Sequence, residues 1–133
     1  MNFFLDNCLS PRYAKSLDIL SERDGKIKVV HLLDKFERDA TDQLWMRTLA
    51  KESDWVIVSG DTRIIKSPEL KAEWLKSGLT AFFLEHRWMN EPYWGQVAHL
   101  VRVWPDILQQ ARLVEAGNGF QVPFPRGKFK PVR

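Results

Sequence analysis

Residues 55–61 read Trp-Val-Ile-Val-Ser-Gly-Asp, and this stretch decides the fold. Four consecutive apolar residues, two of them valines and one an isoleucine, indicate a strand that is buried on both faces, as in a parallel sheet. The strand breaks at Ser59-Gly60-Asp61-Thr62, where a glycine permits a tight turn out of the sheet. We therefore predict a buried parallel strand here, with an aspartate just beyond its carboxyl end.

The beginning of the chain predicts a strand followed by a helix. Phe3-Phe4-Leu5 is a short apolar run that stops at Asp6 and Asn7. Ser10 can then cap a helix whose first residue is Pro11, because proline lacks an N–H that the first turn would leave unpaired in any case.

Similar apolar segments continue the alternation of strands and helices. Residues 27–33 and 80–84 are dense in strand-forming side chains, whereas residues 44–49 and 68–78 carry apolar residues at helical spacing. Such alternation implies parallel β-α-β units whose helices cover both sides of the sheet. The predicted fold class is α/β, a three-layer α/β/α arrangement around a mostly parallel sheet of four to five strands.

The last third of the chain predicts helix followed by a basic tail. Helical spacing runs over residues 93–103, Pro105 should end or kink that helix, and the pattern resumes over residues 107–114. Residues 117–124 could add a short last strand, but prolines indicate that residues 117–133 are largely irregular. The tail is basic, with no acidic residue among Arg126, Lys128, Lys130 and Arg133.

Size and composition favour a single domain over residues 1–133. The 133 residues are 44% apolar and 12% aromatic, which is enough for one core.

No apolar run approaches membrane-spanning length and the N-terminus lacks a signal-peptide pattern, so we expect a cytoplasmic protein. The net charge of +3 tolerates a polyanionic partner but is weak evidence for one. The lone Cys8 excludes an internal disulfide and is expected to be buried.

Three aspartates are placed to converge at one edge of this sheet. Asp6 and Asp61 follow predicted strands, and Asp42 starts the helix after the second strand, on the same edge. Clustered carboxylates need a compensating cation, because charges about 4 Å apart repel by roughly 4 kcal/mol at an effective dielectric near 20. Oxygen-only ligation favours Mg²⁺ or Mn²⁺ over zinc. Helix capping remains a purely structural alternative for Asp42.

Three segments resemble the acidic motifs of PIN-like domains, in order and in spacing. They are Phe4-Leu5-Asp6-Asn7-Cys8-Leu9-Ser10-Pro11, Ala40-Thr41-Asp42-Gln43-Leu44-Trp45 and Val56-Ile57-Val58-Ser59-Gly60-Asp61-Thr62-Arg63. The resemblance covers roughly residues 2–86, and the subgroup it is most similar to is related to the ribonuclease halves of VapC-type toxin–antitoxin pairs.

This resemblance implies a Mg²⁺- or Mn²⁺-dependent endoribonuclease that is held inactive by a cognate antitoxin. It implies that Asp6, Asp42 and Asp61 are catalytic metal ligands. Asn7, Ser59 and Thr62 would be hydrogen-bonding groups around them. Many PIN-like domains have a fourth acidic residue near the last ligand, whereas this chain has Arg63 there. Possible substitutes for that acid, each more readily explained as a loop or cap residue, are Asp34, Glu37 and Asp39.

Two surfaces are predicted to contact partners. Arg63 and the tail cations Arg126, Lys128 and Lys130 suit RNA phosphates, with Phe124 and Phe129 as neighbouring rings. The aromatic stretch from Trp88 to Trp94 offers an apolar surface for an antitoxin or a homodimer, although helical spacing places most of it in the core.

Other functions fit the sequence less well. A haloacid-dehalogenase-like phosphatase needs a second aspartate two residues after the first, where this chain has Cys8. A catalytically inactive PIN-fold module that binds RNA or protein is the stronger competitor, because aspartates that flank strands can simply cap helices and turns. His31, in the second strand, has no Cys or His neighbour in the sequence and is expected to be structural.

Overall fold

A computed structural model describes residues 1–132 of the chain. The strands are β1 (Asn2–Leu5), β2 (Lys28–His31), β3 (Trp55–Ser59), β4 (Thr80–Leu84), β5 (Gly119–Val122) and β6 (Lys130–Val132). The helices are α1 (Pro11–Ser21), α2 (Leu32–Lys35), α3 (Asp42–Lys51), α4 (Arg63–Lys66), α5 (Pro68–Ser77) and α6 (Tyr93–Leu113), with 3₁₀ turns at Glu22–Asp24 and His86–Asn90. Along residues 1–132, none of the helices is long and apolar enough to cross a membrane.

The strands form one sheet in the order β2-β1-β3-β4-β5-β6. Neighbouring strands from β2 to β5 are parallel, and β6 runs antiparallel to β5. The chain passes from β1 to β2 on one side and returns to β3 on the other, so β1 and β3 flank a switch point where a crevice opens beyond their carboxyl ends. The predicted α/β fold with a mostly parallel sheet is confirmed, with six strands rather than four to five.

Alternate residues of β1 pack into cores on opposite faces of the sheet. Phe3 and Leu5 join the cluster beneath α1 and α6, whereas Phe4 joins the cluster beneath α3 and α5. The Phe3 ring lies 5.0 Å from Trp104, and the Phe4 ring lies 5.1 Å from Trp45. Each such buried side chain contributes roughly 1.5–3 kcal/mol, so β1 is fixed from both faces and holds the residue after it in place.

Of the two predicted effects of Pro105, the end of the helix is wrong, because α6 continues through this proline. The buried residues Trp104, Ile107 and Leu108 continue one apolar face across the proline. Pro105 lies on the exposed side, and Val101, whose carbonyl loses its N–H partner, is exposed as well. Water can therefore satisfy that carbonyl, and packing on the other face outweighs the lost hydrogen bond.

The end of the chain holds more regular structure than predicted. β5 lies within the short strand expected over residues 117–124, and β6 adds an antiparallel edge strand in which Lys130 pairs with Gln121. Residues 123–129 connect them without helix or strand. The Phe129 ring packs 5.7 Å from Phe82, which anchors this segment to the core. Arg133 lies outside the described residues.

Candidate active site

Asp6, Asp42 and Asp61 reach the carboxyl edge of the sheet from three separate segments. Leu5 pairs with Val58 in the register of β1 and β3, and the N–H of Asp6 donates to the Val58 carbonyl at 3.3 Å, so the ladder continues up to Asp6. Asp61 lies two residues beyond β3, and Asp42 is the first residue of α3. The acids thus flank the crevice at the switch point between β1 and β3.

The carboxylate of Asp6 is buried, with 3% of its surface exposed. Its Oδ1 accepts the N–H of Cys8 at 3.2 Å and of Gly60 at 3.4 Å, and its Oδ2 accepts the Ser59 hydroxyl. Burial raises the pKa of Asp6 to about 6 against the lowering effect of these three hydrogen bonds, and the charge of Asp61 raises it further. Asp6 is therefore a desolvated acid that is ionised at neutral pH at a considerable energetic cost.

Gly60 allows the turns after β1 and β3 to approach each other. A Cβ at this position would lie 2.8 Å from Met89 Sδ and 3.1 Å from Cys8 Cβ. Gly60 does not adopt a left-handed φ, so it is required for lack of space rather than for the backbone freedom expected from the sequence. This close approach keeps the N–H of Gly60 within reach of Asp6.

Asp42 is held by its own helix. Thr41 caps α3 by accepting the N–H of Leu44 at 3.1 Å, and Asp42 Oδ1 accepts the indole N–H of Trp45 at 3.1 Å. Partial burial raises the pKa of Asp42, and the Asp61 carboxylate adds to that rise. The Trp45 bond leaves Oδ2 as the oxygen that faces the crevice.

The guanidinium of Arg63 binds Asp61 through two nitrogens. Its Nε lies 2.9 Å from Oδ1, and its Nη2 lies 2.6 Å from Oδ2. The same Nη2 is 3.8 Å from Asp42 Oδ2. The hydrogen bond from Arg63 lowers the pKa of Asp61 against the opposing effect of burial. In this arrangement the cation among the three carboxylates is an arginine side chain.

Of the three residues predicted to form hydrogen bonds around the aspartates, only one does so. Ser59 bonds Asp6 directly, and its oxygen also accepts the N–H of Asp61 at 2.9 Å. Asn7 is exposed in the turn after β1. Thr62 precedes α4 without capping that helix through its side chain. The structure thus brings Ser59, but neither Asn7 nor Thr62, into hydrogen-bonding contact with the aspartates within residues 1–132.

None of the three acids considered as a fourth ligand contacts the aspartates in the described residues. Asp34 Oδ2 accepts the N–H of His31 at 2.8 Å and completes the capping box of α2, while Glu37 and Asp39 are exposed in the following loop. His31 itself bonds the Leu9 carbonyl through Nε2 at 2.7 Å and accepts the N–H of Leu33 at Nδ1. Both ring nitrogens are engaged, as expected of a structural histidine.

Cys8 is exposed, and the prediction that it is buried is wrong. It lies in the turn after β1, where its N–H is needed by Asp6 and its side chain is left at the surface beside the crevice. Desolvation and then the charges of Asp6, Asp61 and Asp42 raise the pKa of the thiol to about 12. The thiol is therefore protonated at neutral pH and a poor nucleophile.

Exposed cations lie along the β4–β6 side of the site. Lys130 Nζ bonds Glu85 Oε2 at 3.1 Å, and Glu85 follows β4 at the carboxyl edge. Arg126 and Lys128 are exposed in the 123–129 connection. Arg87, which was not predicted, lies in the 3₁₀ turn after β4 with its guanidinium 5.6 Å from the Phe124 ring. Its position just past a predicted strand was the signal that could have identified it.

The aromatic stretch from Trp88 to Trp94, predicted to contact a partner, is partly buried and partly exposed. Trp88 is buried, with its indole N–H bonded to the Val122 carbonyl at 3.1 Å, and it contacts Phe124. Trp94, by contrast, is 77% exposed. The expected stacking rings of the tail, Phe124 and Phe129, are likewise packed against the core rather than free for bases.

The donor set suits a divalent ion, but the arrangement is not a ready-made site. Three carboxylates supply only oxygen, which fits Mg²⁺ or Mn²⁺. Arg63 already provides a stand-in positive charge between Asp61 and Asp42. As the side chains of residues 1–132 are placed, no three Asp, Glu, His or Cys residues lie together closely enough to hold a metal. The donor types therefore fit a divalent ion, whereas their spacing in the metal-free protein does not, and Arg63 is the cation that stands between two of them.

Comparison with known proteins gives one match. A family model described as a PIN like domain matches residues 1–86, which include all three aspartates and the strands β1 to β4. Comparison with curated proteins and with solved structures found no significant match.

Proposed function

The chain belongs to the PIN-like domain family, and from that membership we propose that it is a Mg²⁺- or Mn²⁺-dependent endoribonuclease that hydrolyses RNA phosphodiester bonds in the cytoplasm. We propose further that it is the toxin component of a toxin–antitoxin pair. The observation that carries the nuclease proposal is the convergence of Asp6, Asp42 and Asp61 on one crevice. Burial has the largest effect on the pKa of Asp6 and of Asp42, and the charge of Asp61 raises both pKa values further.

The residues proposed to hold the ion are Asp6, Asp42 and Asp61. A divalent ion bound there would orient a water molecule, lower its pKa and neutralise charge that develops on a phosphate. Ser59 fixes the orientation of Asp6, and the Trp45 indole fixes that of Asp42, so two of the three ligands are positioned in advance. Because the pKa of Asp6 is about 6, its carboxylate is available to a cation above that pH and increasingly protonated below it.

The RNA backbone is proposed to follow the exposed cations at the carboxyl edge. Arg63 lies at the crevice, Arg87 follows β4, and Lys130 begins β6. The proposed contact continues to Arg126 and Lys128 in the 123–129 connection. Strands are spaced by about 4.8 Å, so β6 lies roughly 14 Å from β3, a span that two or three nucleotides can bridge.

A second candidate function is a catalytically inactive module that binds RNA or protein. The bidentate pair between Arg63 and Asp61 favours it, because a guanidinium that neutralised the crevice permanently would leave no need for a metal.

Cleavage of RNA by metal-stripped protein separates these functions. The nuclease should cut single-stranded RNA when Mg²⁺ or Mn²⁺ is restored and should stop when a chelator is added, and Asp61→Asn and Asp42→Asn should abolish cutting. Asp106→Asn, an exposed change on α6, is the matched control and should cut normally. Chelator-resistant cutting, or none by the wild type with either metal, would refute the proposal.

The proposed antitoxin docks on the exposed face of α1 and α6. A groove of about 270 Å³ between these helices is lined by Trp94 and Tyr93 together with Arg12 and Lys15. Exposed aromatic rings beside two cations suit an acidic, amphipathic segment of a partner protein. A second copy of this chain would bring like charges together, which favours the antitoxin over a homodimer on this face.

A further inference from the structure

One nitrogen of Arg63 faces two carboxylates that come from different segments of the chain. Nη2 is 2.6 Å from Asp61 Oδ2 and 3.8 Å from Asp42 Oδ2. The remaining oxygen of each acid is engaged locally, since Asp42 Oδ1 accepts the Trp45 indole and Asp61 Oδ1 accepts the backbone N–H of Arg63 at 3.0 Å. The two Oδ2 atoms are thus the oxygens left to face a cation, and the guanidinium stands between them.

We propose that Arg63 is a displaceable internal cation that occupies the place of the divalent ion between Asp42 and Asp61, so that the metal binds only when the Arg63 side chain leaves. The inference rests on the proposed metal-dependent function. It makes Arg63 a competitor of the metal in the free protein.

The Arg63 side chain can leave the crevice without disturbing the core. Its side chain is 74% exposed, so departure returns the guanidinium to water without opening a cavity in the core. The backbone N–H of Arg63 keeps its bond to Asp61 Oδ1, which holds that carboxylate in place after the side chain has moved. The Asp61 carboxylate itself is only 9% exposed, so when the guanidinium leaves, this acid needs another cation, which a divalent ion would supply.

The charge balance of the crevice also favours exchange. Arg63 provides a single positive charge for three carboxylates, and its guanidinium contacts Asp61 and Asp42 but makes no hydrogen bond with Asp6 in the described chain. A divalent ion that reached all three acids would neutralise the cluster more completely. Arg63, once displaced, remains at the mouth of the crevice, where it can bind an RNA phosphate instead of a carboxylate.

Calorimetric titration of metal-stripped protein with MnCl₂ tests this competition. Arg63→Ala should bind Mn²⁺ about tenfold more tightly than the wild type, which is a typical strength of coupling between two ligands. Arg63→Lys keeps the charge but loses the paired donors and should bind with intermediate affinity. Arg47→Ala is the matched control, because Arg47 also binds a carboxylate, Glu73, through Nε and Nη2 but contacts none of the three aspartates. It should bind Mn²⁺ as the wild type does.

Double variants distinguish a failure of the proposed competition by Arg63 from a failure of the proposed metal site. The gain of Arg63→Ala should disappear when Asp42→Asn or Asp61→Asn is added. Binding that depends on these aspartates but is no tighter in Arg63→Ala than in the wild type would overturn the competition alone. Absence of aspartate-dependent binding in the wild type and in Arg63→Ala would overturn the metal assignment itself, and with it the inference. Circular dichroism of each variant verifies that it is folded.

Discussion

The Ser59 hydroxyl donates a hydrogen bond to the buried carboxylate of Asp6 across the crevice between β3 and β1. The same oxygen accepts the N–H of Asp61 at 2.9 Å. One side chain therefore joins the acid after the first strand to the acid after the third. The Asp6 carboxylate is thus held in one orientation before a metal ion binds. Hydrogen bonds of this kind orient the side chains that coordinate metals in proteins.

The metal-free protein should lose stability as the pH rises from about 4 to about 6. The pKa of Asp6 is raised from 3.8 to about 6 in the folded state, so between these values the native protein binds more protons than the unfolded chain. The stability contributed by this group is complete below the unfolded value of 3.8, declines between the two values and is lost once the pH has risen through the folded value of about 6. We expect a loss on the order of 2 kcal/mol, measured by urea unfolding from pH 4 to pH 7.

Asp6→Asn isolates this effect from other titrations. The amide oxygen can keep the two backbone N–H bonds, and the amide nitrogen can donate to Ser59 Oγ. The variant should be at least as stable as the metal-free wild type at pH 7 and relatively less stable at pH 4. A difference between the two proteins that stayed constant with pH would show that Asp6 does not titrate in this range.

Gly60→Ala should destabilise the protein by about 1–3 kcal/mol, since its Cβ would press on Met89 Sδ and Cys8 Cβ. Met89→Ala should reduce that penalty in a double-mutant cycle followed by thermal unfolding. Gly95→Ala is the control, because its Cβ meets only the partly exposed side chain of Glu91 and no Cβ of another segment, and alanine favours the helix. An equal penalty with and without Met89 would mean that the turn itself, not the contact, requires glycine.

Arg87→Gln with Lys130→Gln should weaken RNA binding and flatten its dependence on salt. Each lost contact with a single-stranded phosphate lowers the logarithmic slope by about 0.7. Lys51→Gln with Lys76→Gln removes the same charge from helix ends at the opposite edge of the sheet and should leave the slope unchanged. Arg126→Gln with Lys128→Gln is expected to resemble the first pair. Equal slopes for the pairs at the two edges would mean that the charge acts non-specifically.

Trp94→Ala should abolish protection by the antitoxin without unfolding the protein. The ring is 77% exposed, so its loss should change stability by no more than about 0.5 kcal/mol. The measurement is growth of cells that express the variant together with the protein encoded by the neighbouring reading frame. Leu75→Ala, an exposed apolar change on α5, should remain protected. Full protection of Trp94→Ala would exclude this face as the docking surface.

The positions of the strands and of the three aspartates could be predicted because local patterns determine them. Apolar runs buried on both faces indicate parallel strands, and parallel topology brings their carboxyl ends to one edge. Strand β6 was missed because a three-residue segment containing Pro131 has little strand signal. Proline is tolerated there because β6 lies at the edge of the sheet.

Contacts between distant segments could not be predicted in the same way. The sequence shows that an arginine follows Asp61 but not that its guanidinium folds back onto that acid. Arg63 also makes the three acids unequal, because Asp61→Asn removes an ion pair and should lower the stability of the metal-free protein, whereas Asp6→Asn removes a buried charge and should not. Likewise, the lack of space for a Cβ at Gly60 comes from Met89 and Cys8, which are both distant from it in the sequence.

The thermal unfolding of metal-stripped protein on addition of Mn²⁺ tests most directly whether Asp6, Asp42 and Asp61 share one ion. An ion at 100 times its dissociation constant stabilises the native state by about 2.7 kcal/mol, so the melting temperature of the wild type should rise with Mn²⁺, and that of Arg63→Ala should rise at lower concentrations. Asp106→Asn should behave as the wild type, whereas Asp6→Asn, Asp42→Asn and Asp61→Asn should each lose the shift. An equal rise in all of these proteins would contradict a shared metal site at the three aspartates.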